Sequence, residues 1–312
     1  MRLPAYAPHD RYVAPARASA DPRLLLIGVL LIEGLYLLSL HLIDPFLALV
    51  PLADPDEVTR GSTPRGLLVQ LTSFAALGLA VVLISRRLHA RGLNSLIGPM
   101  PLALRQMLRV TLLLGALVLV LEFLPPGKAG YLEMAEMRPL PVWLALLPLS
   151  LLALLIQTGA EELFYRGYIQ QQLAARFDHP AVWLILPSLL FASAHWSSEL
   201  PRDEAVQYVI WAFFFGLAAA DLTARSGTLG PAIGFHLVNN ALAFLLYGEA
   251  GGVDSGLALF LFHDEPDSGL SLLPPETQDA SEPEAGILSG SFVMELAGIA
   301  ILWIGTRLVL RR

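Results

Sequence analysis

The chain has 312 residues, of which 55% are hydrophobic and 15% are charged, and its mean hydropathy is +0.61. A soluble domain carries about 25% charged residues, so this composition excludes a single soluble globular domain. The formal net charge of −7 argues against nucleic acid as a partner, because nucleic-acid binding needs basic patches. The absence of cysteine excludes disulfides, a thiol nucleophile and thiolate metal ligands.

The apolar residues form runs close to the roughly 20 residues that a helix needs to cross a bilayer. In chain order, the predicted spans are Leu24–Ile43, Leu67–Ser85, Val110–Leu124, Val142–Ala160, Ala181–Trp196, Ala205–Ala220, Thr228–Tyr247 and Phe292–Leu310. The sequence therefore predicts an all-α, polytopic membrane protein with about eight transmembrane helices.

The distribution of Lys and Arg among the loops predicts the orientation of these spans. With both termini in the cytoplasm, the inside segments contain 15 of the 20 basic residues and the outside segments contain 5. Because cytoplasmic loops carry the excess of Lys and Arg, we expect both termini to be cytoplasmic. The last outside loop, Gly248–Gly290, contains nine Asp or Glu residues and no Lys or Arg. This composition favours a solvated loop, and a substrate-docking or lid segment is the alternative.

Three of the predicted spans bring polar groups into or beside an apolar run. The fourth runs into Glu161, Glu162 and Arg166, the fifth ends at His195, and the seventh contains His236 and Asn240. Ionisable groups inside a membrane are costly and face the interior of a helix bundle. We therefore expect these side chains to converge on one site; polar contacts that only hold helices together are the alternative.

Helical spacing indicates which of these groups cooperate. Residues four apart share one face of a helix, which pairs Glu162 with Arg166 and aligns His236 with Asn240. The same spacing places Phe191 behind the His195 imidazole. Glu161 lies about 100° round the helix from Glu162 and is left free.

These pairings predict a hydrolase that activates water. Glu161 and His195 can hold a water between them, and a desolvated glutamate can take its proton. His236 and Asn240 can donate hydrogen bonds to the oxygen that gains charge when water attacks an amide. The sequence has neither a serine nucleophile elbow nor a His-Glu-x-x-His motif.

A zinc site is the alternative chemistry. Glu161, His195 and His236 form a two-histidine, one-carboxylate set, which is the ligand count of a catalytic zinc with one open position. Asn240 is a poor zinc ligand and a good hydrogen-bond donor, so the sequence favours a site without a cofactor.

In this order and on consecutive apolar segments, Glu161-Glu162-x-x-x-Arg166, Phe191-x-x-x-His195 and His236-x-x-x-Asn240 resemble the three motifs of the CPBP family. This is the CAAX-protease and bacteriocin-processing, or Abi, family of intramembrane proteases. The resemblance covers roughly Val142–Tyr247 and no motif residue departs from the pattern.

The resemblance implies a helical fold and endopeptidase activity inside the membrane. It implies that Glu161 is the catalytic glutamate, that His195 is its partner on the water, and that His236 and Asn240 form the oxyanion site. Glu162 and Arg166 become the supporting pair. The partners implied are the lipid bilayer and a membrane protein or a lipidated or hydrophobic peptide as substrate; a non-catalytic immunity or binding protein is the alternative.

These inferences divide the chain into five segments. They are a cytoplasmic N-terminal tail (1–22), N-terminal transmembrane helices (23–141), a catalytic core (142–247), an acidic Pro/Gly-rich outside loop (248–291) and a C-terminal transmembrane helix (292–312). The Arg-rich composition, with the single lysine Lys128, favours a bacterial inner membrane. Glu161 and His195 fall at opposite ends of their predicted spans, so we expect the fourth helix to continue past Arg166 towards Phe177.

Overall fold

The computed structural model describes residues 4–49, 55–123, 134–198, 200–263 and 287–311. Its α-helices are α1 (Ala7–Val13), α2 (Pro22–Leu49), α3 (Pro55–Arg60), α4 (Pro64–Ser73), α5 (Ala75–His89), α6 (Leu93–Ile97), α7 (Met100–Phe123), α8 (Leu140–Glu162), α9 (Gln171–Arg176), α10 (Pro180–Ser193), α11 (Arg202–Ser226), α12 (Gly230–Leu245) and α13 (Gly290–Leu310). A π-helix covers Leu163–Gln170, 3-10 helices cover Pro4–Tyr6 and Ala14–Ser19, and the strands are β1 (Met134–Met137), β2 (Tyr247–Glu249) and β3 (Phe260–Phe262).

The fold is that of an all-α polytopic membrane protein, as predicted. Within the described ranges, six helical segments are long and apolar enough to cross a membrane. The predicted spans Ala181–Trp196 and Thr228–Tyr247 form α10 and α12, which are shorter, with 14 and 16 residues. The count of eight spans is therefore not confirmed. Most residues of α12 are buried against other helices. The long helices, in contrast, expose many leucines on their outer faces.

The helix that carries Glu161 continues without a break from Leu140 to Arg176, over 37 residues. This confirms the predicted extension towards Phe177. Glu161 lies 15 residues before Arg176, and His195 lies 15 residues after Pro180. At about 1.5 Å per residue, both lie about 20 Å from the turn that joins α9 to α10, so the extension brings them to a similar height.

The π-helix begins directly after Glu162, and its residues Phe164–Gln170 are buried. A π-helical turn replaces the usual hydrogen bond to the fourth residue by one to the fifth, and such turns are frequent at functional sites. Here the π-helix lies between the two glutamates and the polar residues of α9. The sequence did not predict this local change of helix type.

The segment predicted as an N-terminal tail is folded against one end of the bundle. The Tyr12 hydroxyl donates to the carbonyl of Leu96, and the Tyr12 backbone carbonyl accepts from Gln171 Nε2 at 2.6 Å. Tyr6 donates to Asp221 at 2.7 Å, and Trp303 Nε1 donates to the same carboxyl at 2.9 Å. The N-terminal segment, α6, and the ends of α9, α11 and α13 therefore meet at one end.

The opposite end of the bundle carries a three-stranded sheet that the sequence did not predict. Its order is β1-β3-β2, with β1 antiparallel and β2 parallel to β3. Most of the predicted acidic loop, residues 264–286, lies outside the described residues. In its described part, Asp254 donates its backbone N–H to the Arg60 carbonyl at 2.8 Å.

Candidate active site

The innermost part of the site is an ion pair between Glu162 and Arg166. Arg166 Nη1 donates to Glu162 Oε1 at 2.9 Å, and both side chains are 0% exposed. Arg166 Nη2 also donates to the Gly216 carbonyl on α11 at 3.2 Å, and its guanidinium lies 4.7 Å from the Phe191 ring centroid. The pairing predicted from the spacing of four residues is present, and the bond from Arg166 to Gly216 connects the π-helix to α11.

His236 on α12 lies between the two glutamates. Its Nδ1 is 2.9 Å from Glu162 Oε1, and its Nε2 is 3.5 Å from Glu161 Oε2. Because the Glu162 carboxylate only accepts when it is ionised, we assign the Nδ1 proton to His236. Its other nitrogen then faces Glu161, so the imidazole bridges the two carboxyl groups.

Gln157 connects Glu161 to Asn240. Gln157 Nε2 donates to Glu161 Oε2 at 2.9 Å, and Gln157 Oε1 accepts from Asn240 Nδ2 at 2.9 Å. Gln157 was not among the site residues predicted from the sequence. The sequence does indicate such a role, since Gln157 is a polar residue inside an apolar run and lies one helical turn before Glu161.

His195 lies just after the last residue of α10. Its Nδ1 donates to the Phe191 carbonyl at 2.8 Å, since a carbonyl oxygen only accepts. In the neutral ring this leaves the lone pair of Nε2 available to hold a water. Phe191 packs against the imidazole with 4.4 Å between ring centroids, as predicted, and its centroid lies 6.0 Å from that of His236.

The structure thus brings the three motifs together. Glu161, Glu162, Arg166 and His236 form one chain of polar contacts, and Asn240 joins it through Gln157. His195 joins through its packing on Phe191. In this arrangement His236 and Asn240 already contact polar groups of the protein. From the sequence, both were predicted to donate hydrogen bonds to the carbonyl oxygen of the substrate.

The zinc alternative requires Glu161, His195 and His236 to converge on one point. Within the described parts of the chain, no three His, Asp or Glu side chains form a group that could hold a metal ion. The contact of His236 Nδ1 with Glu162 leaves only its Nε2 for a metal. The observed donor arrangement therefore does not fit the predicted zinc set.

Comparisons with known proteins agree with the motifs. Residues 142–242 match the family described as type II CAAX prenyl endopeptidase Rce1-like. The uncharacterized protein YyaK of Bacillus subtilis (strain 168) is 28% identical over 116 residues, which is 37% of this chain and 38% of that protein. This chain thus spans less than half the length of that relative, and no solved structure matches it. The match over residues 142–242 confirms the resemblance to the CAAX-protease family, a family of proteases, and it includes every residue of the three motifs.

Proposed function

We propose that the protein is an intramembrane endopeptidase that hydrolyses a peptide bond of a membrane-associated protein or peptide. The polar chain around Glu161, built from side chains of α8 and α12 and buried in an otherwise apolar bundle, supports this function. Buried polar groups of this kind are costly in a membrane and mark functional sites. The family match over the same helices supports a protease.

In the proposed mechanism, Glu161 takes a proton from a water that His195 Nε2 holds by its lone pair. The water oxygen forms a bond to the peptide carbonyl carbon, and the carbonyl electron pair moves to its oxygen. Collapse of this tetrahedral intermediate re-forms the carbonyl and breaks the C–N bond. The proton on Glu161 passes to the leaving amine, so the enzyme returns to its starting state.

Glu162 and Arg166 hold His236 in place in this scheme. Because Glu162 Oε1 accepts from both Arg166 and His236, it fixes the imidazole with Nε2 towards Glu161. We propose that His236 steadies the Glu161 carboxyl while its proton is exchanged. The substrate is proposed to be a membrane protein or a lipidated or hydrophobic peptide that reaches the site from the bilayer of a bacterial inner membrane.

The test compares the membrane and secreted proteins of host cells that express wild-type protein, Glu161→Gln or His195→Ala. We expect a set of new protein N-termini in the wild type that is absent in both variants, measured by N-terminal proteomics. Glu57→Gln and His41→Ala are the matched controls. Glu57 is an ion-paired carboxyl at the surface, and His41 bonds a carbonyl of its own helix as His195 does, but in an exposed position.

Equal sets of N-termini in wild type and Glu161→Gln would refute the proteolytic function. That result would favour the alternative of a non-catalytic immunity or binding protein. Treatment of the purified protein with a zinc chelator separates the two chemistries. The water-and-glutamate mechanism predicts unchanged cleavage, whereas the zinc mechanism predicts its loss.

A further inference from the structure

The mechanism needs hydrogen-bond donors for the oxygen that becomes negatively charged, and the predicted donors are partly occupied. Both ring nitrogens of His236 face glutamate oxygens. One N–H of Asn240 is used by Gln157, and Asn240 Oδ1 accepts from Asn239. This leaves one amide N–H of Asn240 for the substrate. A second donor on the open side of the site would complete the arrangement.

Tyr208 on α11 lies at that open side. Its ring packs edge-on against the His195 imidazole, with 5.4 Å between centroids and an angle of 76°. Tyr208 therefore lies next to the histidine that holds the water in the proposed mechanism.

The Tyr208 hydroxyl is also available. The residue is 45% exposed. Within the described parts of the chain, the hydroxyl makes no hydrogen bond, unlike those of Tyr6 and Tyr247, which donate to carboxylates. A phenol carries its proton at neutral pH, so this group is a donor without a protein acceptor.

The ring of Tyr208 is held in position by an aromatic stack along α11. Tyr208 stacks on Trp211 with 6.3 Å between centroids, and Trp211 stacks on Phe215 with 5.2 Å. Phe215 in turn contacts the edge of His236 at 4.9 Å. The stack ties the orientation of Tyr208 to the centre of the site, which is the preorganisation that an oxyanion donor needs.

We propose that the Tyr208 hydroxyl donates a hydrogen bond to the carbonyl oxygen of the substrate and stabilises its negative charge in the tetrahedral intermediate. This rests on the proposed function and adds a catalytic residue to it. As water attacks at the carbon, the carbonyl electron pair moves to the oxygen, where the O–H of Tyr208 meets it. The phenol keeps its proton throughout, so no further proton donor or acceptor is needed.

The test uses the purified protein in lipid vesicles. The substrate is the membrane fraction of the host strain that carries Glu161→Gln, and the readout is the rate at which new N-termini form at limiting and at saturating amounts of that membrane. Loss of one oxyanion donor lowers kcat about 10²- to 10³-fold. We expect Tyr208→Phe to lower the saturating rate by that factor, while the amount of membrane that gives half the maximal rate changes less than threefold.

Three further variants make the result decisive. Tyr6→Phe loses a hydroxyl far from the site and keeps the wild-type rate. Tyr208→His restores an N–H donor and is faster than Tyr208→Phe, which a purely structural role of the ring would not predict. Glu161→Gln forms no products if the proposed function is right.

The role of Tyr208 is refuted if Tyr208→Phe keeps a saturating rate within threefold of wild type while Glu161→Gln is inactive. A loss that appears only at limiting membrane also refutes it, since the hydroxyl would then bind the substrate before the reaction. If Glu161→Gln itself is active, the proposed function fails whatever Tyr208 does.

Discussion

At the scale of single residues, the buried carboxyl of Glu162 determines how the site is built. It accepts from a guanidinium on its own helix and from an imidazole on α12. An unpaired charge in a dry interior is costly, whereas a paired one tolerates burial. The pairing therefore stabilises the fold and orients His236 at the same time.

Replacing Arg166 by Met tests this role in stability. The change removes the guanidinium from the Glu162 carboxylate at a position where both side chains are 0% exposed. Breaking a buried pair in this way costs about 3–5 kcal/mol. We expect a loss of that size in the free energy of unfolding, measured by denaturant titration in detergent micelles.

Arg65→Met is the control for that measurement. Arg65 pairs with Glu57 at the surface, with side chains 49% and 23% exposed. An exposed pair contributes about 0–1 kcal/mol. Equal losses of unfolding free energy in the two variants would show that the buried Glu162–Arg166 pair contributes no more to stability than an exposed pair.

At the scale of elements, the sequence predicted what lies within one helix and missed what lies between helices. The pair Glu162–Arg166 and the packing of Phe191 on His195 follow from a spacing of four residues, and both are present. The position of His236 between the two glutamates depends on how α12 packs against α8, which no spacing within one helix reveals. The π-helix after Glu162 has no sequence signature of comparable strength.

The packing of α12 against α7 gives a prediction at this scale. A Cβ atom added to Gly230 would lie 2.1 Å from the backbone carbonyl oxygen of Ala103, which has no flexible side chain to move aside. We expect Gly230→Ala to destabilise the protein by about 1–3 kcal/mol, the usual cost of overpacking. Thermal unfolding in detergent measures it.

Gly298→Ala provides the comparison, because no atom of the described residues lies within 4 Å of a Cβ at that position in α13. Alanine is favoured over glycine inside a helix by about 0.5–1 kcal/mol. We therefore expect this variant to be as stable as the wild type or slightly more so. A Gly230→Ala variant of wild-type stability would mean that α7 and α12 are not in such close contact.

At the scale of the whole molecule, the N-terminal segment joins helices that are distant in sequence at one end of the bundle. His9, within this segment, is buried at 4% exposure, and its ring centroid lies 4.5 Å from that of Trp183. Burial lowers the pKa of His9 from its usual 6.5 to about 3. The folded state therefore holds His9 neutral at a pH where the unfolded chain protonates it.

This difference predicts a pH dependence of stability. The contribution of neutral His9 is complete above pH 6.5 and is lost progressively as the pH falls from 6.5 towards 3. At pH 4 the loss is about 3 kcal/mol, since each pKa unit is worth about 1.4 kcal/mol. His9→Phe, which keeps an aromatic ring, should lose less stability than wild type between pH 7 and pH 4. Parallel pH curves for the two proteins would contradict the burial of a neutral His9.

Whether Glu161 activates the attacking water can be measured with purified protein in lipid vesicles, mixed with membranes of the host strain that carries Glu161→Gln. The formation of new N-termini is followed over time by N-terminal proteomics, with wild-type protein in one sample and Glu161→Gln in the other. If Glu161 activates the attacking water, the wild type produces a defined set of cleavages and Glu161→Gln produces none. The same cleavages at the same rate in both samples would show that Glu161 does not activate the attacking water.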